Sequence, residues 1–190
     1  MTIPNLLTFF RLLLIPIFLI VIFFYSEGED YLRYIGFTIC IIAIVTDLLD
    51  GYIARKFNLC SELGARLDPL ADKLAVNLGL VFIAANTSFK YPIPLWFPPL
   101  VLFRDIVLVL GTCLINKKLT KVKVTPRFLG KITSFTLSLY TAIVLLEIKV
   151  LAFLFLILGT ILTLLSLFDY LWIGIQFSLK YKTTNEKAIS

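Results

Sequence analysis

Apolar residues run through this chain in blocks of about 20, the length that crosses a bilayer as a helix, and not in the short alternations of a sheet. Polar positions punctuate the blocks. The segment Thr2 to Arg11 opens with Pro4 and places Asn5, Thr8 and Arg11 on one helical face, with Leu6, Leu7, Phe9 and Phe10 covering the others. It predicts a short interfacial helix running into a first span that ends near Tyr25. A polar loop, Ser26 to Asp30, precedes a second span over Tyr31 to Arg55. The third ends at Ala85 and begins at either Ser61 or Asp68, because Pro69 suits a first helical turn but a kink there is equally compatible. Asn86 to Pro94 reads as a loop, and the fourth span, about Leu95 to Ile115, carries Arg104 and Asp105 in its interior. Thr125 followed by Pro126 has the form of a helix cap and first turn, opening a fifth span to about Leu146. The sixth is expected from about Val150 to Leu179, ahead of a polar tail; its aliphatic and aromatic runs read as lipid-facing or packing surface with no chemistry.

Composition agrees with an all-α integral membrane protein. Of 190 residues 59% are hydrophobic, and the mean hydropathy is +0.96, far above the apolar share of soluble domains. Six transmembrane helices with short loops account for the length, so residues 1–190 are expected to form one membrane domain. The first apolar segment lacks a small-residue cleavage signature and exceeds a signal-peptide core, so it reads as retained. Cys40, Cys60 and Cys113 are too scattered for a disulfide framework, and the absence of histidine removes imidazole acid–base chemistry and zinc motifs.

The net charge of +6 is a matter of topology and anionic lipid, with no aromatic-interleaved basic groove to suggest nucleic acid. Arg55, Lys56, Arg66 and Lys73 follow the second span; Lys117, Lys118, Lys121, Lys123, Arg127 and Lys131 follow the fourth; Lys180, Lys182 and Lys187 follow the sixth. The opposite connections hold only Arg33, Lys90 and Lys149. By the positive-inside rule both termini lie in the cytoplasm.

Chemistry concentrates where the second span meets the third. Asp47 and Asp50 are three apart, and Asp68 and Asp72 four apart, so each pair shares a face of its helix. Ionised groups at the ends of apolar segments are costly and mark function. Four converging carboxylates without balancing cations would repel one another and invite a hard divalent ion, Mg²⁺ or Mn²⁺, with two ions possible. Gly51 and Ala54 leave a strip of helix without bulk, Arg55 offers a fork of donors for phosphate oxygens, Ser61 can cap the third helix, and Gly64 permits another close approach. Together they describe a site for a diphosphate ester. A cation or proton-coupled transporter also uses paired intramembrane carboxylates, but the glycines and arginine have no part in such a pathway, and no internal repeat is visible.

The spacing D-x2-D-G-x2-A-R-x8-G-x3-D-x3-D is met by Asp47, Asp50, Gly51, Ala54, Arg55, Gly64, Asp68 and Asp72. In this the chain resembles the CDP-alcohol phosphatidyltransferases, and the flanking IPNLLTFFR and LDPLADK extend the likeness toward the bacterial phosphatidylglycerophosphate and cardiolipin synthases. The resemblance implies transfer of a phosphatidyl group from CDP-diacylglycerol to an alcohol with release of CMP, in a bacterial-type inner membrane. It further implies metal ligation by the four aspartates, Asp72 as proton acceptor, Gly51, Ala54, Arg55, Ser61 and Gly64 on the CDP-diacylglycerol side, and a homodimer among membrane lipids.

Arg104 is the first candidate for the acceptor's phosphate, with helix bridging as its other reading. Being adjacent, Arg104 and Asp105 should point in different directions and not pair with each other. Lys131 is the second candidate, beside the helix start at Thr125 to Arg127, and Asn5, Thr8 and Arg11 are further acceptor-side candidates. The phosphatidylglycerophosphate synthases carry two more cations where this chain has Thr112 and Thr133, whereas the Arg104–Asp105 pair and the run from Pro126 to Ser134 look more like the cardiolipin synthases. Glycerol 3-phosphate is placed narrowly first as acceptor, with phosphatidylglycerol second.

Overall fold

The structure is a computed structural model that describes the backbone of residues 3–57, 62–118 and 128–189, with side chains described at positions 6, 9–49, 73–111 and 128–172 and at 174 and 176. Six helices make up the described chain: α1 (Ile3–Phe24), α2 (Asp30–Phe57), α3 (Glu62–Ala85), α4 (Phe97–Lys118), α5 (Phe128–Leu145) and α6 (Lys149–Ile189). No strand occurs among the described residues.

Several expected boundaries move. Ile3 to Phe24 is one unbroken helix through Pro16, so the expected interfacial segment and the first span are continuous. Glu62 begins α3, which resolves the choice between Ser61 and Asp68 in favour of the earlier start and puts Pro69 inside the helix. The fourth helix begins at Phe97, two residues after the expected Leu95. The 41 residues of α6 carry it well past Leu179, and at about 1.5 Å per residue it is roughly twice as long as a hydrocarbon core is thick. Where a polar tail was expected, Lys180 to Ile189 continue the helix.

Among the described residues, segments of α2 (Asp30–Leu49), α5 (Phe128–Leu145) and α6 (Lys149–Trp172) are long and apolar enough to cross a membrane, and Phe9–Phe24 and Lys73–Ala85 are shorter apolar stretches. The outward faces are apolar: Phe23, Phe103, Leu110, Phe153 and Phe168 all stand exposed. Surface of that kind needs lipid to cover it.

Inside, Phe18, Ile22, Leu80, Ile83, Phe97, Val101, Leu137 and Tyr140 form the core. α1 packs on both α2 and α3, while α6 packs on α4 and α5. Small residues set the close approaches, as at Gly36, where an added Cβ would lie 3.1 Å from Ile22 Cδ1. Hydroxyls along α5 donate one turn back, Thr133 to Leu129 O, Ser134 to Gly130 O, Ser138 to Ser134 O and Thr141 to Leu137 O. That bond satisfies a polar group where water is absent.

The connections α1–α2, α3–α4 and α5–α6 are knit together. Asn86 Nδ2 donates to Ile22 O at 2.8 Å and to Tyr25 O at 2.9 Å, capping the last turn of α1. Gly28 turns the chain with a φ of 98° that suits glycine. Glu147, at the α5–α6 turn with φ 55°, accepts from Lys90 N at 3.1 Å and pairs with Arg33 Nη1 at 2.8 Å. Arg33 also meets Asp30 at 3.1 Å.

Candidate active site

The last turns of α2 carry Asp47, Asp50, Gly51, Ala54 and Arg55, and the first turns of α3 carry Gly64, Asp68 and Asp72. Helical backbone at both places keeps each acid pair on one face, as the spacing predicts. Ser61 and Arg127 lie outside the described residues, and so does the Thr125–Pro126 start expected for α5. For Asp50, Gly51, Ala54, Arg55, Gly64, Asp68 and Asp72, and for Asn5 and Thr8 on α1, the backbone alone is described. Among the described residues no three acids, cysteines or histidines gather into a metal cluster.

Asp47 is the member of the acid set whose side chain is described. Its Oδ1 meets Arg11 Nη1 at 2.9 Å, and the arginine is buried while the carboxylate is about half exposed. The expectation of acids without a balancing cation is therefore corrected at this position. Arg11, grouped with Asn5 and Thr8 as an acceptor-side candidate, ties α1 to the acid-bearing end of α2. The cause is burial: a guanidinium held inside helix packing requires an anion, and Asp47 supplies one while keeping a face to solvent.

A second polar network sits where α3, α4, α5 and α6 meet. Arg104 is 1% exposed. Its Nη1 donates to Asp105 Oδ1 at 2.8 Å, Nε and Nη2 donate to Ser166 Oγ at 3.2 and 3.1 Å, and Nη2 also reaches Gly130 O at 3.3 Å. The sequence argument against mutual pairing is thus overturned. Adjacent residues diverge by about 100° around a helix, but the long arginine stem folds back far enough to span that angle where both heads are buried. Helix bridging, the other reading of Arg104, matches this geometry.

Asp105 in turn holds α3. Its Oδ2 accepts from Asn77 Nδ2 at 2.8 Å, and its Oδ1 lies 3.6 Å from Lys73 Nζ. Asn77 Nδ2 also donates to the Lys73 carbonyl at 2.8 Å. One carboxylate therefore faces two cations and an amide, an arrangement that a buried charge requires. Lys131 stands exposed on α5, one residue past the Gly130 carbonyl that Arg104 engages. Thr133 is fully buried, its hydroxyl donating to Leu129 O at 2.7 Å and reaching Leu162 O of α6 at 3.3 Å. A lysine at this position would meet α6.

Sequence reasoning did not single out Asn77 or Ser166, and read Lys73 only as a topological charge. Each had a signal: Asn77 is a lone amide in an apolar run one turn past Lys73, and Ser166 interrupts the apolar run of the last helix. The aliphatic and aromatic runs of the last span were read as carrying no chemistry, and Ser166, a polar position between them, is buried and accepts two bonds from Arg104.

Residues 1–167 match the family model described as CDP-alcohol phosphatidyltransferase. The chain belongs to that family, and with its apolar helices it is an integral membrane protein. Over 114 residues it is 32% identical to a protein of Mycobacterium tuberculosis (strain ATCC 25618 / H37Rv) named "Probable phosphatidylglycerophosphate synthase", covering 60% of this chain and 53% of that one. It is 38% identical over 109 residues to the "CDP-diacylglycerol--glycerol-3-phosphate 3-phosphatidyltransferase" of Wigglesworthia glossinidia brevipalpis, covering 57% of each. A "Cardiolipin synthase (CMP-forming) / mitochondrial hydrolase fusion protein" of Schizosaccharomyces pombe (strain 972 / ATCC 24843) is 40% identical over 110 residues, 57% of this chain and 16% of that one. The chain spans about half the length of the first two.

Proposed function

We propose that this chain transfers a phosphatidyl group from CDP-diacylglycerol to the hydroxyl of a glycerol-type acceptor, with CMP as the leaving group and sn-glycerol 3-phosphate as the first acceptor. The observation that carries the reading is the acid set on the last turns of α2 and the first turns of α3, inside a family match over residues 1–167. The names of the mycobacterial and Wigglesworthia relatives support the acceptor.

In this reading Asp72 takes the proton of the acceptor hydroxyl as its oxygen attacks the β-phosphorus of CDP-diacylglycerol, and the bond from that phosphorus to the CMP oxygen breaks. Gly51, Ala54 and Gly64 let the diphosphate approach helix backbone, while Arg55 and Ser61 donate to its oxygens. Asp47, Asp50, Asp68 and Asp72 would hold one or two divalent cations, Mg²⁺ or Mn²⁺. An all-oxygen donor set suits a hard ion, and at Asp47 such an ion would share the carboxylate with Arg11, which holds Oδ1 at 2.9 Å. When bound, such an ion neutralises the diphosphate and stabilises the departing charge. Lys131, Arg127, Asn5 and Thr8 are assigned to the acceptor side. The lysine and arginine pattern supports six membrane crossings with both termini and the acids in the cytoplasm of a bacterial-type cell. We assign a homodimer on family resemblance.

A second reading, phosphatidylglycerol as acceptor, has its own observation. Arg104 is buried and directs its donors to Asp105, Ser166 and Gly130, so it offers little to a dianionic phosphomonoester, the acceptor with the greater need of cations. The fission-yeast relative bears the corresponding name.

The deciding experiment is CMP release by purified protein in detergent with CDP-diacylglycerol and Mg²⁺, comparing the two acceptors. Release with glycerol 3-phosphate supports the first reading, and release with phosphatidylglycerol alone supports the second. No release with any alcohol from folded, metal-loaded protein would sink both and return the acids to ion transport.

A further inference from the structure

The Asp105 network raises a question that the transfer reaction does not answer: why a carboxylate is buried in α4 against an α3 lysine. Lys73 directly follows Asp72 in the chain. An ammonium so placed is a rival for a divalent ion, since a lysine paired with an acid of the set would occupy the oxygens the ion needs. The Arg104–Asp105 pair, closed at 2.8 Å, demonstrates in this molecule that a long cation folds onto the carboxylate next to it on a helix.

Asp105 draws Lys73 toward α4. Its Oδ1 lies 3.6 Å from Lys73 Nζ, on α4 and not on α3. The carboxylate is fixed for the task, with Arg104 on Oδ1 at 2.8 Å and Asn77 on Oδ2 at 2.8 Å. Asn77 also holds the Lys73 carbonyl, so lysine and counter-ion share one clamp. The groups facing Asp105 from the packed elements are Lys73 and Asn77 of α3, and Arg104 of its own helix; Ser166 of α6 and the Gly130 carbonyl of α5 complete the shell around Arg104. While Asp105 is charged it offers Lys73 an anion on α4, at 3.6 Å against 2.8 Å for Arg104, and removing that charge would leave the ammonium beside Arg104 with no anion between them.

We propose that Asp105 is a positioning residue that sequesters the Lys73 ammonium from the acid set, and so keeps those carboxylates available to a divalent cation. The proposal rests on the metal-binding reading above. It assigns Asp105 no contact with substrate or metal.

The test is Mn²⁺ binding by purified protein without substrate, followed by electron paramagnetic resonance of the free ion, with CMP release measured in parallel. Asp105→Asn keeps the shape and removes the charge, so Lys73 is released toward Asp72 and Mn²⁺ affinity falls about tenfold, at the lower end of what losing an outer partner does to a metal site. The double variant Lys73→Met with Asp105→Asn restores affinity to within about twofold of wild type. A merely structural Asp105 would not be rescued in this way. Lys73→Met alone guards against an Asp105→Asn protein that does not fold, and it binds Mn²⁺ as tightly as wild type or more so. Unchanged Mn²⁺ affinity in folded Asp105→Asn, failure of the double variant to recover, or loss of affinity in Lys73→Met would each overturn the proposal. Wild-type protein that binds no Mn²⁺ and releases no CMP would instead remove the reading on which it rests.

Discussion

Two arginine–carboxylate clusters serve this fold in different ways. At the connections, Arg33 and Glu147 pair at 2.8 Å with Asp30 and Lys90 around them, joining the start of α2 to the α3–α4 and α5–α6 links. Between the helices, Arg104 and Asp105 pair at the same distance, with Asn77, Lys73, Ser166 and the Gly130 carbonyl as partners from three other helices. Both pairs are buried, yet the first joins loops at the end away from the acids, whereas the second reaches α3 one residue past Asp72. The contrast teaches that equal geometry does not mean equal purpose. A charge pair that closes loops acts on stability, and one that abuts the acid helix also sets which cations the acids meet.

Four substitutions break or sharpen that contrast. Asp72→Asn is the most severe for chemistry: CMP release should fall by about a thousandfold, the scale of a lost general base, while thermal unfolding in detergent stays at the wild-type value. Glu147→Gln strikes the other cluster, removing the buried anion of Arg33 and leaving it the exposed Asp30 carboxylate. It should cost about 3 kcal/mol of stability, read as a lowered unfolding temperature, with CMP release per folded molecule unchanged. If activity fell with no change in unfolding, the division between the two clusters would be wrong. Ser166→Ala removes the hydroxyl that accepts from Arg104 and should cost about 1–2 kcal/mol, again by thermal unfolding, since the guanidinium keeps Asp105 and Gly130. Lys90→Ala should move stability by less than about 0.5 kcal/mol, because the lysine head is mostly exposed and sits 3.7 Å from Glu147. An effect as large as that of Glu147→Gln would mean that the loop lysine is a true member of the cluster.

The helices were legible because apolar blocks of about 20 residues permit little else in a bilayer. The helical backbone under the four aspartates was legible because apolar periodicity on either side of them fixes it locally. Boundaries were less so: Pro69 permitted two starts for α3, and only the packed helix selected Glu62. Arg104 and Asp105 were misread because angular position on one helix was allowed to decide a contact. Side-chain length and the burial of both heads decided it instead. Asn77 and Ser166 lay among apolar neighbours, and their roles depend on which helix faces which.

Local periodicity and motif spacing determined, from the sequence by itself, the helical class, the approximate places of the helices among the described residues, the positions of the acids on α2 and α3, and the family to which the chain belongs. These are properties of residues a few positions apart, and the covalent chain sets those distances. Tertiary structure alone decided that Arg11 meets Asp47, that Arg104 bridges helices through Ser166 and Gly130, and that Asp105 draws Lys73 toward α4. Those pairings join residues up to 62 positions apart. A buried charge takes whichever partner the packed helices bring within reach, because leaving it unpaired in low dielectric costs more than any local preference returns.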